Sequence, residues 1–166
     1  MQVFELTPEM APLVAKMLAR IKPEWFTTES ALELITAPGI IGWYMGENID
    51  TPIGCIHIQE HKPYNYIELI LYGYDDNGEF HTGEKLAVLY DRVEQHALEN
   101  GFRSVGSVLT HESEKITDYA EELSAYKPEG YLASRGHRPA GFIPDCYGVN
   151  LHGVIMLKHL YDTVSD

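Results

Sequence analysis

The chain has 166 residues, 45% of them hydrophobic, with a formal net charge of −13. That length suits one folded domain over residues 1–166, and the acidic balance argues against nucleic acid or anionic membrane as a partner, because phosphates would be repelled. No apolar run approaches the roughly 20 residues of a membrane span, and MQVFELTPEM lacks the basic and apolar regions of a secretory signal, so a cytoplasmic protein is expected.

In chain order, MQVFEL alternates as a first strand. Thr7 then caps a helix with Pro8 at its first position, and Leu13, Val14, Met17, Leu18 and Ile21 share one face. A short helix over 28–36 comes next, with Thr28 as its cap and Leu32 and Ile35 inward; Ala37 to Gly39 end it. IIGWYMGE and IGCIHIQE read as strands. In the second of these, Ile53, Cys55, His57 and Gln59 fall on one face, and Ile56 and Ile58 on the other. YIELILYGY is a mainly apolar run, as expected of a central strand covered on both sides. The segment NGEFHTGEKLAVLYDRVEQHALENGF, Asn77 to Phe102, is a turn followed by a long amphipathic helix. SVGSVL is a strand. Residues 113–126 read as a helix with Ile116, Tyr119, Ala120 and Leu123 on one stripe. A short helix at Tyr131 to Ser134 ends at Gly136, and AGFIPDCYG and HGVIMLKHL close the chain as an antiparallel pair. The result is a mixed α/β chain on one sheet with helices on both faces. Cys55 and Cys146 have no CxxC spacing and are expected to be free, buried thiols. The eight histidines show neither HxxxH nor HExxH spacing on one helix, so no metal is expected.

Two segments carry a resemblance. LAVLYDRVEQHALENGFRSV, an amphipathic helix, Gly-Phe turn and strand, is similar to the segment after the acetyl-CoA loop in the GCN5-related N-acetyltransferase (GNAT) superfamily. YLASRGHRPAGF resembles a late segment of that family, with Gly136 and Gly141 in place. The resemblance implies a single, mostly antiparallel sheet of about seven strands with helices on both faces, and an acetyl-CoA cosubstrate.

The family holds the pyrophosphate of coenzyme A on backbone N–H groups of a Q/R-x-x-G-x-G/A loop at the helix start. Unsatisfied donors and the positive end of the helix dipole favour an anion there. Here the loop reads FHTGEKLA. With Gly83 at the first glycine position, Phe80 replaces the Q/R and Lys85 the last small residue. With Ala87 at the last position, Thr82 replaces the Q/R and Lys85 the first glycine. Glu84 places a carboxylate where a phosphate would sit, whereas Thr82 could cap the helix and Lys85 offers a cation. A phosphate site over Thr82, Gly83, Glu84, Lys85 and Leu86 and a plain capped helix are both open readings.

The resemblance also implies that the YIELILYGY strand puts Leu71 and Tyr72 nearest the thioester, with Gly73 suited to a bulge or close approach. Glu68 on that strand is the candidate general base, and Glu60 and His57 are weaker ones; each could instead be a structural side chain. The family's tyrosine acid lies four residues before the late glycine, which here is Leu132. Tyr131 is one residue, about 100° of helix, away, so it is either the acid in a shifted register or a packed aromatic. Tyr119, Tyr126 and Glu122 would flank the acceptor pocket. The expected activity is acetyl transfer to a primary amine of a small molecule or protein, with a cationic acceptor favoured by the charge; a homodimer is admitted. The alternatives are a non-catalytic acyl-CoA-binding or sensing module of the same fold, or a structural or dimerisation protein.

Overall fold

The computed structural model describes residues 1–113 and 118–160. Strand β1 (Gln2–Glu5) is followed by helices α1 (Ala11–Ile21) and α2 (Thr28–Ile35), then by β2 (Ile40–Gly46), β3 (Pro52–His61), β4 (Tyr66–Asp76) and the short β5 (Glu79–His81). Helix α3 (Ala87–Glu99), strand β6 (Ser104–Glu112), helices α4 (Tyr119–Ala125) and α5 (Gly130–Ser134), and strands β7 (Arg138–Gly148) and β8 (Leu151–His159) complete the order. The strands form one sheet in the order β1-β2-β3-β4-β6-β8-β7, with β5 added on β4. Every pairing is antiparallel except β4 with β6. The eighth strand is β5, in the segment read from sequence as a turn. Asn77 and Gly78 take positive φ, so the chain reverses tightly enough for Phe80 to return beside Asp75.

One face of the sheet carries α3, whose Leu89, Tyr90, Val93 and Ala97 bury against Trp43, Met45, Ile56, Ile58, Ile67, Leu69 and Val105. The opposite face carries α1 and α2, with Val14, Leu18, Ile21, Ala31 and Ile35 against Tyr44, Cys55 and Leu71. Each such side chain contributes about 1.5–3 kcal/mol when fully removed from water, so the two layers hold the central strands from both sides. The alternation expected for β3 is observed for Cys55, Ile56 and Ile58, but Ile53 packs with the α3-side layer instead, because it is the extra residue where Met45 pairs with Gly54 and Gly46 with Pro52. Among the described residues, no helix is long and apolar enough to cross a membrane.

Several local expectations are corrected. Helix α1 begins at Ala11, not beside Thr7; the Met10 and Ala11 N–H groups both reach the Thr7 carbonyl, and no side chain caps the helix. Thr27, not Thr28, caps α2, where its Oγ1 accepts from the Ser30 N–H while the Ser30 Oγ accepts from the Thr27 N–H. Within the described part of the predicted helix 113–126, Tyr119–Ala125 forms α4, started by Asp118, which accepts from the Ala120 and Glu121 N–H groups. Residues 114–117, including Ile116, and the Tyr119 side chain lie outside the described residues. Cys55 is buried, but Cys146 is exposed because β7 runs along the sheet edge.

Two helix ends share one solution. Gly101 takes φ 77° after α3, and the Phe102 N–H donates back to the Ala97 carbonyl while its ring buries. Gly136 takes φ 89° after α5, and the His137 N–H donates back to the Leu132 carbonyl. His137 buries in the same manner as Phe102, and its Nε2 meets the Tyr90 hydroxyl.

Candidate active site

β4 and β6 pair in parallel only over Tyr66–Glu68 and Ser104–Gly106. Beyond that point β6 pairs with β8 alone, and β4 pairs with β3 and, from Tyr74 onward, with β5. The two central strands therefore separate, and the β4 edge from Leu69 to Gly73 faces a gap rather than a strand. The Ser107 hydroxyl donates to the Leu69 carbonyl at 3.2 Å and closes the apex of the gap.

A bulge sits at this apex. Ile58 pairs with Leu69 and His57 with Leu71, so Ile70 is the extra residue. An extra residue inverts the side-chain alternation beyond it. Leu69 accordingly faces α3, and Leu71 faces α1. The bulge expected near Gly73 is thus three residues earlier. Gly73 has a different role, close approach: a Cβ there would lie 2.1 Å from the Phe80 ring.

The gap contains a cavity of about 230 Å³ lined by Ile70, Leu71, Tyr72, Phe80, Thr82, Ser107, Val108, Leu109, Thr110 and Trp25 from the α1–α2 connection. Leu71 and Tyr72 are among the residues that line this cleft. On the face away from α3 lies a second, larger groove of about 470 Å³, and Glu68 lines it with His61. Glu68 is the last β4 residue paired with β6, its Oε2 lies 2.9 Å from His61 Nε2, and the two cavities share Val108.

The start of α3 stands at the other end of the cleft. Glu84–Leu86 form a 3₁₀ turn that runs into the helix, and no side chain caps either segment. Thr82 therefore lines the cleft instead of capping. Gly83 is extended, at φ 164°. Lys85 turns away from the helix start, its Nζ 2.6 Å from Asp76 Oδ1 and 5.1 Å from the centre of the Tyr74 ring. Lys85 and Asp76 each favour the other's charged form, raising the lysine pKa and lowering that of the carboxyl through their hydrogen bond. Glu84 is exposed and Leu86 is buried under the sheet.

Tyr131 and Leu132 are both buried. Leu132 belongs to the core, whereas the buried Tyr131 hydroxyl has no hydrogen-bond partner among the described residues. The Tyr131 ring meets Tyr90 edge-on at 5.9 Å, and burial pushes its hydroxyl up to about 12. Tyr90, held through His137, thus backs the Tyr131 ring. The sequence nominated neither His137 nor this buttress as part of the site.

The weaker base candidates are placed elsewhere. Glu60 faces α3, 2.8 Å from His96 Nε2. His57 is buried under α1 with no partner on either ring nitrogen, which contradicts a half-buried, satisfied histidine. Burial pulls it down to about 3, so it is neutral at physiological pH. Glu122 lies 2.9 Å from His111, and Tyr126 packs edge-on against His111 and Phe142, which docks α4 beside the outer half of β6.

No protein-family model and no curated protein sequence matches the chain. Its fold does match solved structures. An aminoglycoside 6'-N-acetyltransferase complexed with coenzyme A superposes with a TM-score of 0.75 at 14% identity, covering 99% of this chain and 100% of that one. An aminoglycoside 6'-N-acetyltransferase from Enterococcus faecium gives 0.73 at 12% identity, with 99% and 100% covered. GCN5 from Tetrahymena gives 0.59 at 11% identity, with both chains fully covered at 100%. The fold is the GNAT fold. In this GNAT fold the splayed β4–β6 pair, the bulge at Ile70 and the helix start at Thr82–Leu86 are the parts that frame the cleft.

Proposed function

We propose that the protein is an acetyl-CoA-dependent N-acetyltransferase that acylates a primary amine of a small molecule or protein. The observation that carries this reading is the β4 edge at Leu69–Gly73, which has no strand opposite it and leads to a helix start that no side chain caps. Both features offer backbone N–H donors. The buried Tyr131 hydroxyl is a third. An acyl-CoA carries the matching acceptors: a pyrophosphate, a thioester oxygen and a sulfur.

The cosubstrate, when bound, supplies an acetyl thioester. Backbone N–H groups of Thr82 to Lys85 hold its pyrophosphate, Gly83 allowing the approach, while the Leu86 N–H already donates to the Gly83 carbonyl at 2.9 Å. The backbone of Leu71 and Tyr72 orients the acetyl oxygen. Glu68, with His61 behind it, takes the proton from the incoming ammonium, so that the amine nitrogen bonds to the acetyl carbon as the carbon–sulfur bond breaks. Tyr131 donates a hydrogen bond to the departing sulfur. Burial raises the Tyr131 hydroxyl above the ordinary tyrosine range, so Tyr131 serves the thiolate as a hydrogen-bond donor rather than as its proton source. The free cysteines accord with a cytoplasmic setting.

The second reading, an acyl-CoA-binding or sensing module without turnover, draws on Lys85, whose cation is engaged by Asp76 instead of being free for a phosphate. Acetyl-CoA titration in a thermal-shift assay, followed by thiol release over an amine panel, separates the two. Ligand at 100 times its dissociation constant should stabilise the fold by about 2.7 kcal/mol. Stabilisation with thiol release supports the enzyme, and stabilisation without it supports the sensor. No stabilisation removes both.

A further inference from the structure

The groove beside Glu68 indicates which amine would be used. It lies on the sheet face away from α3, its floor made by Val108, Ile155 and Leu157 and its walls by Tyr64 and Tyr66. Its volume of about 470 Å³ falls within the usual range for small-ligand pockets, about 300–1,000 Å³. The floor cannot rise: a Cβ at Gly106 would meet the Met156 carbonyl oxygen at 2.5 Å, Tyr66 at 3.0 Å and Leu157 at 3.1 Å. One end of the groove reaches Val108, which it shares with the β4–β6 cleft.

Its chemistry is one-sided. Among the lining residues Glu68 is the only carboxylate, and His61 is its ring-nitrogen partner. The His61 ring stacks on Tyr66 at 5.5 Å, so the pair has a fixed aromatic border. Tyr147 crosses from β7 with its hydroxyl 3.4 Å from the Val108 carbonyl, above the junction of the two cavities. A polyamine or aminosugar carries several ammonium or hydroxyl groups, and each would need a polar partner when desolvated. This groove has one carboxylate, 2.9 Å from His61, with the Ser104 hydroxyl beside Tyr66 and an apolar floor of Val108, Ile155 and Leu157, so a second ammonium would find no second carboxylate among the lining residues.

We infer that this groove is the acceptor subsite, and that the acceptor is a primary amine carried on a single apolar body of aromatic size, its ammonium against Glu68 and its body over Leu157 and between Tyr64 and Tyr66. The inference rests on the acetyltransferase reading. In the transfer Glu68 takes one proton from the ammonium, the amine nitrogen bonds to the acetyl carbon, the carbon–sulfur bond breaks, and the sulfur leaves as a thiolate that takes up the second nitrogen proton, giving the amide and coenzyme A thiol with one proton released through Glu68.

The test compares 2-phenylethylamine, spermidine and kanamycin as acceptors, with thiol release as the readout, in the wild-type chain and in Tyr64→Ala and Leu157→Arg. Tyr64 is 79% exposed, so Tyr64→Ala removes a wall at little cost to folding. Phenylethylamine should have the highest kcat/KM. Either variant should raise its KM about tenfold or more, with kcat and the acetyl-CoA thermal shift unchanged. Preference for spermidine or kanamycin, or an unchanged phenylethylamine KM in Tyr64→Ala, overturns the acceptor assignment but leaves the acetyltransferase reading standing. A dimeric wild type that Leu157→Arg makes monomeric without altering that KM also overturns it, and makes the groove a contact between copies. Failure of acetyl-CoA to stabilise the wild type overturns both.

Discussion

Glu68 and Tyr131 occupy opposite sides of the splayed sheet, and each is read through its partners. Glu68 has an ionic neighbour, His61 at 2.9 Å, and a place at the last β4–β6 pair. Removing a general base typically costs 10²–10⁴-fold in rate, about 3–5 kcal/mol. Glu68→Gln should therefore lower acetyl transfer at least ~100-fold near neutral pH, with recovery as pH rises and free amine accumulates; stopped thiol release across a pH series measures it, and a near-wild-type rate would remove Glu68 from the chemistry. Tyr131 is different, because its hydroxyl has no partner to lose. Tyr131→Phe should keep the melting temperature within experimental error or raise it, and should lower kcat about tenfold without moving the acetyl-CoA KM, as expected for one hydrogen bond made only to the departing sulfur. A destabilised variant with unchanged kcat would make Tyr131 a packing residue only.

At the scale of elements, the bulge and the helix start do the positioning. Ile70 re-aims β4 so that Leu69 serves one layer and Leu71 the other, while the Ser107 hydroxyl holds the Leu69 carbonyl and prevents the strands from closing. The helix start is tested at Gly83. Its φ of 164° is extended backbone open to any residue, and a Cβ there would meet only the Tyr74 hydroxyl, at 3.4 Å. Gly83→Val should thus fold normally and weaken coenzyme A binding tenfold or more, about 1.4 kcal/mol, by isothermal titration. Unchanged affinity would place the pyrophosphate elsewhere.

Across the whole molecule, charge and buried histidines set the response to solution conditions. His57 is pulled from an ordinary 6.5 down to about 3, and His137 to about 4, in both cases chiefly by burial. A depressed folded-state pKa means that the unfolded chain binds more protons between the two values, so this contribution is fully present above pH 6.5 and is lost as pH falls toward the folded values. The melting temperature should be level above pH 6.5 and fall steadily to pH 4. His57→Leu should flatten that fall and add about 1 kcal/mol at neutral pH, since neither ring nitrogen has a partner to forfeit; calorimetry over the pH series would show an unchanged slope if the argument is wrong. The net charge of −13 should make kcat/KM for a cationic amine decline as salt is raised through the physiological range. A flat profile would reduce the acidity to a matter of solubility.

The order of the long elements, the two-sided burial of YIELILYGY, the faces of β3 from Cys55 to Ile58 and the Gly101 and Gly136 helix ends were legible from the residues. Each depends on local periodicity or on a single backbone angle, which near neighbours in the chain determine. The place of the bulge was not legible, because Ile70 is extra only relative to Ile58 and His57 on another strand. Nor was β5, a three-residue strand that needs β4 as its template. The freedom of Lys85, the satisfaction of His57 and the choice between Tyr131 and Leu132 likewise turn on partners distant in sequence: Asp76 across a hairpin, the α1 layer over β3, and Tyr90 with His137 behind the late helix. Sequence spacing can nominate such residues, but whether a donor is spent or free depends on what the tertiary fold sets opposite it.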